Sequence, residues 1–467
     1  MRPWMAVCLL AALASPGPVR AREHGRHRHK GLESLSHPGP SEAEVRATLE
    51  ALRSGDARLC TLAVDRLAQG GWDWGRPMLA GEEALPVPGR GPVRAPEVVA
   101  VLADALADPR PCVRRAAAVW LGESRTPEAL GRLATALRSA APAPREAAAY
   151  GLGVHGDGAG RDELLTALRD ATPSVVVAAA WALGRSRDPR NTPPLKTALG
   201  HADPGVRRAA AGALGASEDP AAVDPLVARR QDPDARVRTA VAEALGDIED
   251  RRGVPALVGL ANDSDTEVRV AALHGLARME DPAALEVARK ALRDPVPEVR
   301  LAALRALASI EDPGTLSAVS SAVGDTIPEI RAEAARALGR LEDPRAAPAL
   351  SRAVKDSVPD VRVVAVEALG NLDGLGTTPP SLLEASRDSV AEVRAAAAEA
   401  LRGFARDEAA GRRLAAMVKD EDRTVRRAAT QSLVHLESPE ARAALRAALG
   451  DADSEVRREA ARGLGRD

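Results

Sequence analysis

Seven aromatic side chains, one Tyr, one Phe and five Trp, are all that 467 residues carry. A chain so poor in rings has little with which to stack bases or hold one extruded from a duplex, which argues against a base-flipping enzyme. Cysteine is as scarce, at three, and only five of the 64 basic residues are Lys. With Ala, Gly and Pro abundant, the Arg excess looks like GC-rich coding bias and says little about anion binding. The formal net charge is −2, which does not invite nucleic acid. Nor is there a long apolar run. The longest N-terminal stretch, Trp4 to Ala14, is eleven residues, about half of the roughly 20 needed to cross a bilayer.

That stretch follows Arg2, is broken by Ser15-Pro16-Gly17 and ends on Val19-Arg20-Ala21, the pattern of a cleaved secretory signal over 1–21. Loss of Arg2 and Arg20 leaves 62 basic and 66 acidic residues, a net charge of −4. Cys8 is too early, and in the wrong context, for a lipid-anchored cysteine. Residues 22–40 hold four His among Arg22, Arg26, Arg28 and Lys30. Such a segment reads as a solvated, flexible leader, with loose transition-metal binding as the other option. The expected location is therefore exported: periplasmic, cell envelope or secreted, with no membrane insertion after signal removal.

What the chain has in abundance is periodicity. An apolar slot recurs at Val113, Pro144, Val175, Val206, Val237, Val268, Val299, Ile330, Val361, Val393, Val425 and Val456, with nine spacings of 31 and two of 32. A period of that length belongs to a stack of supersecondary units rather than to one globular core. Asp stands five residues before the slot in ten of twelve units, failing at Ser139 and His201, and Arg follows it in eleven, failing at Val176. Small residues and Leu-Gly complete the phrase.

Asp-x4-Val-Arg with small residues and Leu-Gly resembles the second helix and preceding turn of HEAT repeats, specifically the phycobilisome-lyase-type subset. The resemblance covers about nine tenths of the mature chain. It implies an all-α, right-handed α-α superhelix of about 13 helical hairpins. It leaves function open, because that superfamily includes scaffolds, bilin lyases, a di-iron hydroxylase and DNA glycosylase relatives.

Start signals place the helices. Asp188-Pro189, Asp219-Pro220, Asp281-Pro282, Asp312-Pro313 and Asp343-Pro344 put a capping carboxylate before a Pro tolerated in the first turn, and open the A helices. Each B helix is expected to run from the Val slot to Leu-Gly, with the Gly free to take a left-handed cap. Ser41 to Glu44 reads as a capping box, so the solenoid spans 41–465. A Gly/Pro-rich insertion at 71–95 carries Trp72 and Trp74, expected to pack back on the solenoid edge, with partner binding as the alternative. Gly374 to Pro380 is a second irregularity, replacing one Asp-Pro start.

The recurrent Asp and Arg are poor candidates for catalysis, since a reaction needs such groups once or twice, not eleven times. They read as a ladder in which the Asp caps its B helix and the Arg bonds a turn carbonyl or the next Asp. No His-Glu dipeptide of the kind that holds two irons in deoxyhypusine hydroxylases occurs, and His155, His201, His274 and His435 stand alone in separate repeats. No triad, nucleotide loop or nucleophilic Cys arrangement stands out. The chain is read as non-catalytic, without metal or cofactor. The alternative is an enzyme resembling the bilin lyase or deoxyhypusine hydroxylase branch, which pigment or metal absorbance in the purified protein would reveal. Cys60 and Cys112 fall on successive B helices in awkward register, and either bridge or remain as two buried small residues.

One slot breaks the pattern. Six residues after the Val, ten of thirteen units carry a residue such as Glu243, Arg305 or Glu399, so the slot is expected to be wet and to face the concave side. Val119, Tyr150 and Trp181 are the exceptions, on consecutive units, with Val177 one turn before Trp181. These apolar groups either form a contact surface rimmed by Arg115, Glu146 and Arg185 or lie flat over Ala-rich helices that would otherwise leave gaps. The expected partner is a protein or peptide, not nucleic acid. The oligomeric state is not legible.

Overall fold

A computed structural model describes residues 39–53, 93–310 and 314–465. The expectations for the signal 1–21, for Cys60, for Trp72 and Trp74, and for Asp312-Pro313 lie outside those residues. Among the described residues there are 25 α-helices and no strand. The first, Glu42–Arg53, is opened by the capping box: the Ser41 amide donates to Glu44 Oε2 at 2.7 Å and the Glu44 amide to Ser41 Oγ at 3.3 Å. The other 24 pair into twelve A–B hairpins, numbered two to thirteen, from Pro96–Ala105 with Pro111–Ser124 to Pro439–Ala448 with Ser454–Leu464. They stack in chain order as a right-handed α-α superhelix, each B helix packing against the B helices before and after it. None of the described helices is long and apolar enough to cross a membrane.

The A helices start as the Asp-Pro pairs dictate. Asp188, Asp219, Asp281 and Asp343 each accept the amide two residues on and lead into a 3-10 turn with Pro in its first position. A short α-helix follows, such as Val254–Leu260, whose Val254, Leu257 and Leu260 are buried. The B helices are longer. In Thr266–Met279, the buried set Val268, Ala271, Ala272, Leu273, Gly275 and Leu276 turns one face into the core and packs both flanks. Full burial of a Val or Leu contributes about 1.5–3 kcal/mol. Repetition of that small contribution, rather than any large core, stabilises the array.

Two expectations need correction. The Gly of Leu-Gly is not a left-handed cap. Most of the helices run one or two residues past it, and a left-handed position further on is taken by Arg125, Arg187, Glu218, Glu249, Glu280 and Glu342, with φ of 49–54°. The Gly is used inside the helix, where neighbouring backbones nearly touch: a Cβ on Gly215 would lie 2.6 Å from Ala244 Cα, and one on Gly246 2.6 Å from Gly275 Cα. Only a residue without a side chain fits there.

The ladder Asp, in turn, does not cap its B helix. It accepts the amide two residues on, as Asp263 does from Asp265 at 2.9 Å, and that next residue caps where it is acidic, Asp265 accepting from Glu267 and Val268. The Arg does both jobs expected of it. Arg238 Nη1 donates to the Asp232 carbonyl of its own turn at 2.8 Å, while Nε and Nη2 grip Asp263 of the next hairpin at 2.7 and 2.8 Å. Nine such inter-hairpin pairs are formed, from Arg145–Asp170 to Arg426–Asp451. Two junctions have none: Arg114 faces Ser139, and Val176 faces His201, whose Nδ1 accepts the Asp203 amide in place of the missing carboxylate.

The bonded guanidinium holds the carboxyls of Asp170, Asp263, Asp356 and Asp451 below the usual carboxylate range. A folded value below the unfolded one, about 3.9, means that the stabilisation is complete above that pH and is withdrawn as pH falls through the folded values. The melting temperature should therefore stay nearly flat from pH 8 to 5 and drop below about pH 4. Melting curves of Asp263→Asn should fall less steeply in acid than those of the parent; parallel acid limbs would refute the assignment.

Candidate interaction surface

The slot six residues after the Val is solvent-facing along most of the array. Gly212, Glu243, Arg305, Arg336, Glu367, Glu399 and Arg462 are exposed, and His274 and Gln431 half-buried. Its charges are mixed in sign. Burial pushes the carboxyls of Glu243 and Glu367 up, with Asp247 and Glu399 respectively adding like charge. Burial, then Arg305 and Arg278, pushes the His274 imidazole down, so it is neutral at pH 7.

Hairpins two to four depart from this. Val119 is completely buried, so it is a packing residue and not part of an exposed contact. Tyr150 and Trp181 are half-buried and stack on each other, with ring centroids 4.7 Å apart and planes at 13°. The Arg115 guanidinium lies 5.1 Å over the Tyr150 ring, with Nη2 3.5 Å from its hydroxyl, and that of Arg185 5.3 Å over Trp181. Arg185 is fixed further by Nε donating to the Gly153 carbonyl at 3.0 Å. The stacked pair contributes about 0.5–1.5 kcal/mol beyond its area, and each exposed cation–π contact about 0.5–1 kcal/mol. The four side chains therefore form a stiff layer on the helices.

The two readings of these rings prove compatible. Trp181 does lie over bare backbone, since a Cβ on Gly153 would come 2.4 Å from its Cζ3. The rings nevertheless stay half-exposed. Val177 is half-buried beside Gly205, and Glu146 is exposed and accepts from Ser174 Oγ at 2.7 Å. Gly153, Gly205, Gly212 and the exposed Arg208 complete the surroundings; sequence reasoning passed over them because Gly recurs in every unit.

Elsewhere, an open groove of about 820 Å³ runs between hairpins seven and eight, but much of its lining is already ion-paired, Arg269 with Asp294 and Arg289 with Glu286. No group of three or more His, Cys, Asp or Glu that could hold a metal occurs among the described residues. His155 Nδ1 lies 2.7 Å from Asp157. Cys112 is disulfide-bonded; the other two cysteines, Cys8 and Cys60, lie outside the described residues.

A stack of short-A, long-B helical hairpins with one continuous, laddered core defines a helical-repeat solenoid. The family model for HEAT repeats matches residues 89–153, 161–246, 225–308, 254–327, 285–370, 319–402 and 379–465, and the chain belongs to that family. No curated protein matches the sequence. Among solved structures, yeast importin-β, Kap95p, aligns at 16% identity over 79% of this chain and 62% of that one, with a TM-score of 0.55. Kap95p with RanGDP aligns at 16% identity over 91% and 69%, with a TM-score of 0.53. The CpcE–CpcF phycocyanin lyase of Nostoc sp. PCC7120 matches at 24% identity over 46% and 88%, with a TM-score of 0.32. At these identities the likeness is one of fold.

Proposed function

We propose that the protein is an exported scaffold that holds a protein or peptide partner on the concave face of its B helices, at hairpins two to four. The observation that carries this reading is the stacked Tyr150–Trp181 pair, clamped by Arg115 and Arg185 in a slot that from Gly212 onwards holds small, polar or charged residues. Rigid, partly exposed aromatic and Arg side chains lose little entropy on binding and dominate interface energies. Solenoids of similar fold are partner-binding proteins, as in Kap121p bound to Pho4p. Export is supported by the signal-like residues 1–21 and by the disulfide at Cys112, a bond that persists in oxidising compartments.

Substituting Ser for both Tyr150 and Trp181 should abolish partner capture from the native envelope fraction while shifting the melting temperature by only a few degrees. Undiminished capture by that variant, or its unfolding, would refute the assignment. N-terminal sequencing of native protein should begin near Arg22; an intact Met1 in a cytosolic fraction would refute export.

A further inference from the structure

We propose that the partner is captured through an extended acidic segment, whose carboxylates meet Arg115, Arg185 and Arg208 and whose central apolar side chain enters a dent between Trp181 and Gly212. This rests on the concave-face reading and adds the chemistry of the occupant.

Local charge supports it. Two, six and ten residues after the Val slot, hairpins two to five hold three guanidiniums, Arg115, Arg185 and Arg208, against two carboxylates, Glu123 and Glu146. Glu146 is engaged by Ser174, while Glu123 is exposed at the far end of the hairpin-two helix. The three Arg are exposed and form no ion pair among the described residues, and Arg208 acts on Glu243 of the next hairpin by charge alone. At the same positions in later hairpins, Arg278 pairs with Asp247, Arg336 and Arg340 with Glu333, and Arg427 with Glu455. A positive patch thus sits on a chain of net charge −2. The same positions in hairpins ten and eleven hold Glu367 and Glu399 and no cation, so the patch is a local feature of the face.

The geometry suits carboxylates. A guanidinium held over a ring still offers its remaining N–H groups to a carboxylate, and one already fixed in place loses little freedom on binding. Gly205, Arg208 and Gly212 lie on one helix face, at i, i+3 and i+7. A Cβ on Gly212 would meet nothing within 4 Å, whereas one on Gly205 would meet Asp203 Oδ1 at 2.9 Å and Val177 Cγ2 at 4.0 Å. Arg208 therefore stands beside bare backbone at Gly212, with Val177 near Gly205 on its other side. Stacked helices lie about 8–10 Å apart and an extended chain advances about 3.3 Å per residue, so carboxylates three residues apart match successive hairpins. About ten residues reach from Arg115 to Arg208.

The test uses a fluorescein-labelled twelve-residue peptide with Asp or Glu at every third position and one central Leu, compared with its Asn/Gln counterpart by anisotropy on the full chain. The acidic peptide should bind at least about tenfold more tightly, and less tightly as salt rises. Arg208→Gln, at an exposed position without an ion pair, should weaken it about tenfold, and Arg208→Glu more, with the melting temperature unchanged. Equal affinity of the two peptides, no measurable binding, or indifference to both Arg208 variants overturns the proposal. If both peptides bind equally and the Tyr150→Ser, Trp181→Ser variant loses them, the acidic requirement fails and the surface stands. If acidic binding survives that variant undiminished, the concave-face reading fails with it.

Discussion

Asp232→Ala is expected to destabilise the protein by about 3 kcal/mol, near the low end for breaking a buried ion pair. Its carboxylate is 1% exposed and its partner Arg207 11%, and the two form paired bonds of 2.8 Å. Removing the Asp leaves a guanidinium enclosed without its counter-charge, and also frees the Asp234 amide that Asp232 Oδ1 accepts. The loss stops short of the full range because Arg207 Nη1 keeps the His201 and Ala202 carbonyls. Denaturant unfolding measures it, and a second variant locates the cause. Arg207→Ala combined with Asp232→Ala should cost clearly less than the sum of the two singles. Strict additivity would show that the bridge carries no coupling.

Gly215→Val should be as damaging, through geometry rather than charge. A Cβ at Gly215 would sit 2.6 Å from Ala244 Cα and 2.8 Å from its Cβ. The obstruction is backbone, so the two B helices must part, at a cost of about 3 kcal/mol, the upper end for overpacking. A control lies one turn earlier on the same helix. Gly212→Val has open space around it and should change stability by less than about 1 kcal/mol, since leaving Gly improves helix propensity. Equal destabilisation by the two variants would mean that the close approach of the B helices is not what the glycine serves.

Those two glycines also mark where sequence reading stops. The period, the Asp-Pro starts, the capping box and the apolar slot were all legible, because each is a local rule acting within one turn of chain. The task of Gly215 was not. Leu-Gly near a helix end fits a left-handed cap and a close helix crossing equally well, and only the position of Ala244, 29 residues away, decides between them. Nothing local signals that Glu249 or Glu280 would take the left-handed position instead. The same holds for the ladder Asp, whose spacing fits a cap until the turn is built and the residue two places on takes that role. At the candidate surface, Val119 shares its slot with Tyr150 and Trp181, so spacing alone ranked all three as exposed. A Val at that position is short enough to be covered completely, while the rings extend beyond the layer that buries it.

The two junctions without a ladder pair have a mechanical consequence. In a linear stack every joint carries the same load in series, so extension collects at the softest joints. Nine of the eleven described junctions between consecutive hairpins two to thirteen are riveted by an Arg–Asp pair, and the two without one, Arg114 opposite Ser139 and Val176 opposite His201, bracket hairpins three and four. Those hairpins carry Tyr150 and Trp181 and are riveted to each other by Arg145–Asp170. Under tension or bending, that pair moves as one plate between two seams held by lighter links, Arg115 over Tyr150 on one side and Arg161 to Asn191 and Asp188 on the other, so strain applied to either end of the molecule is taken up first at those seams.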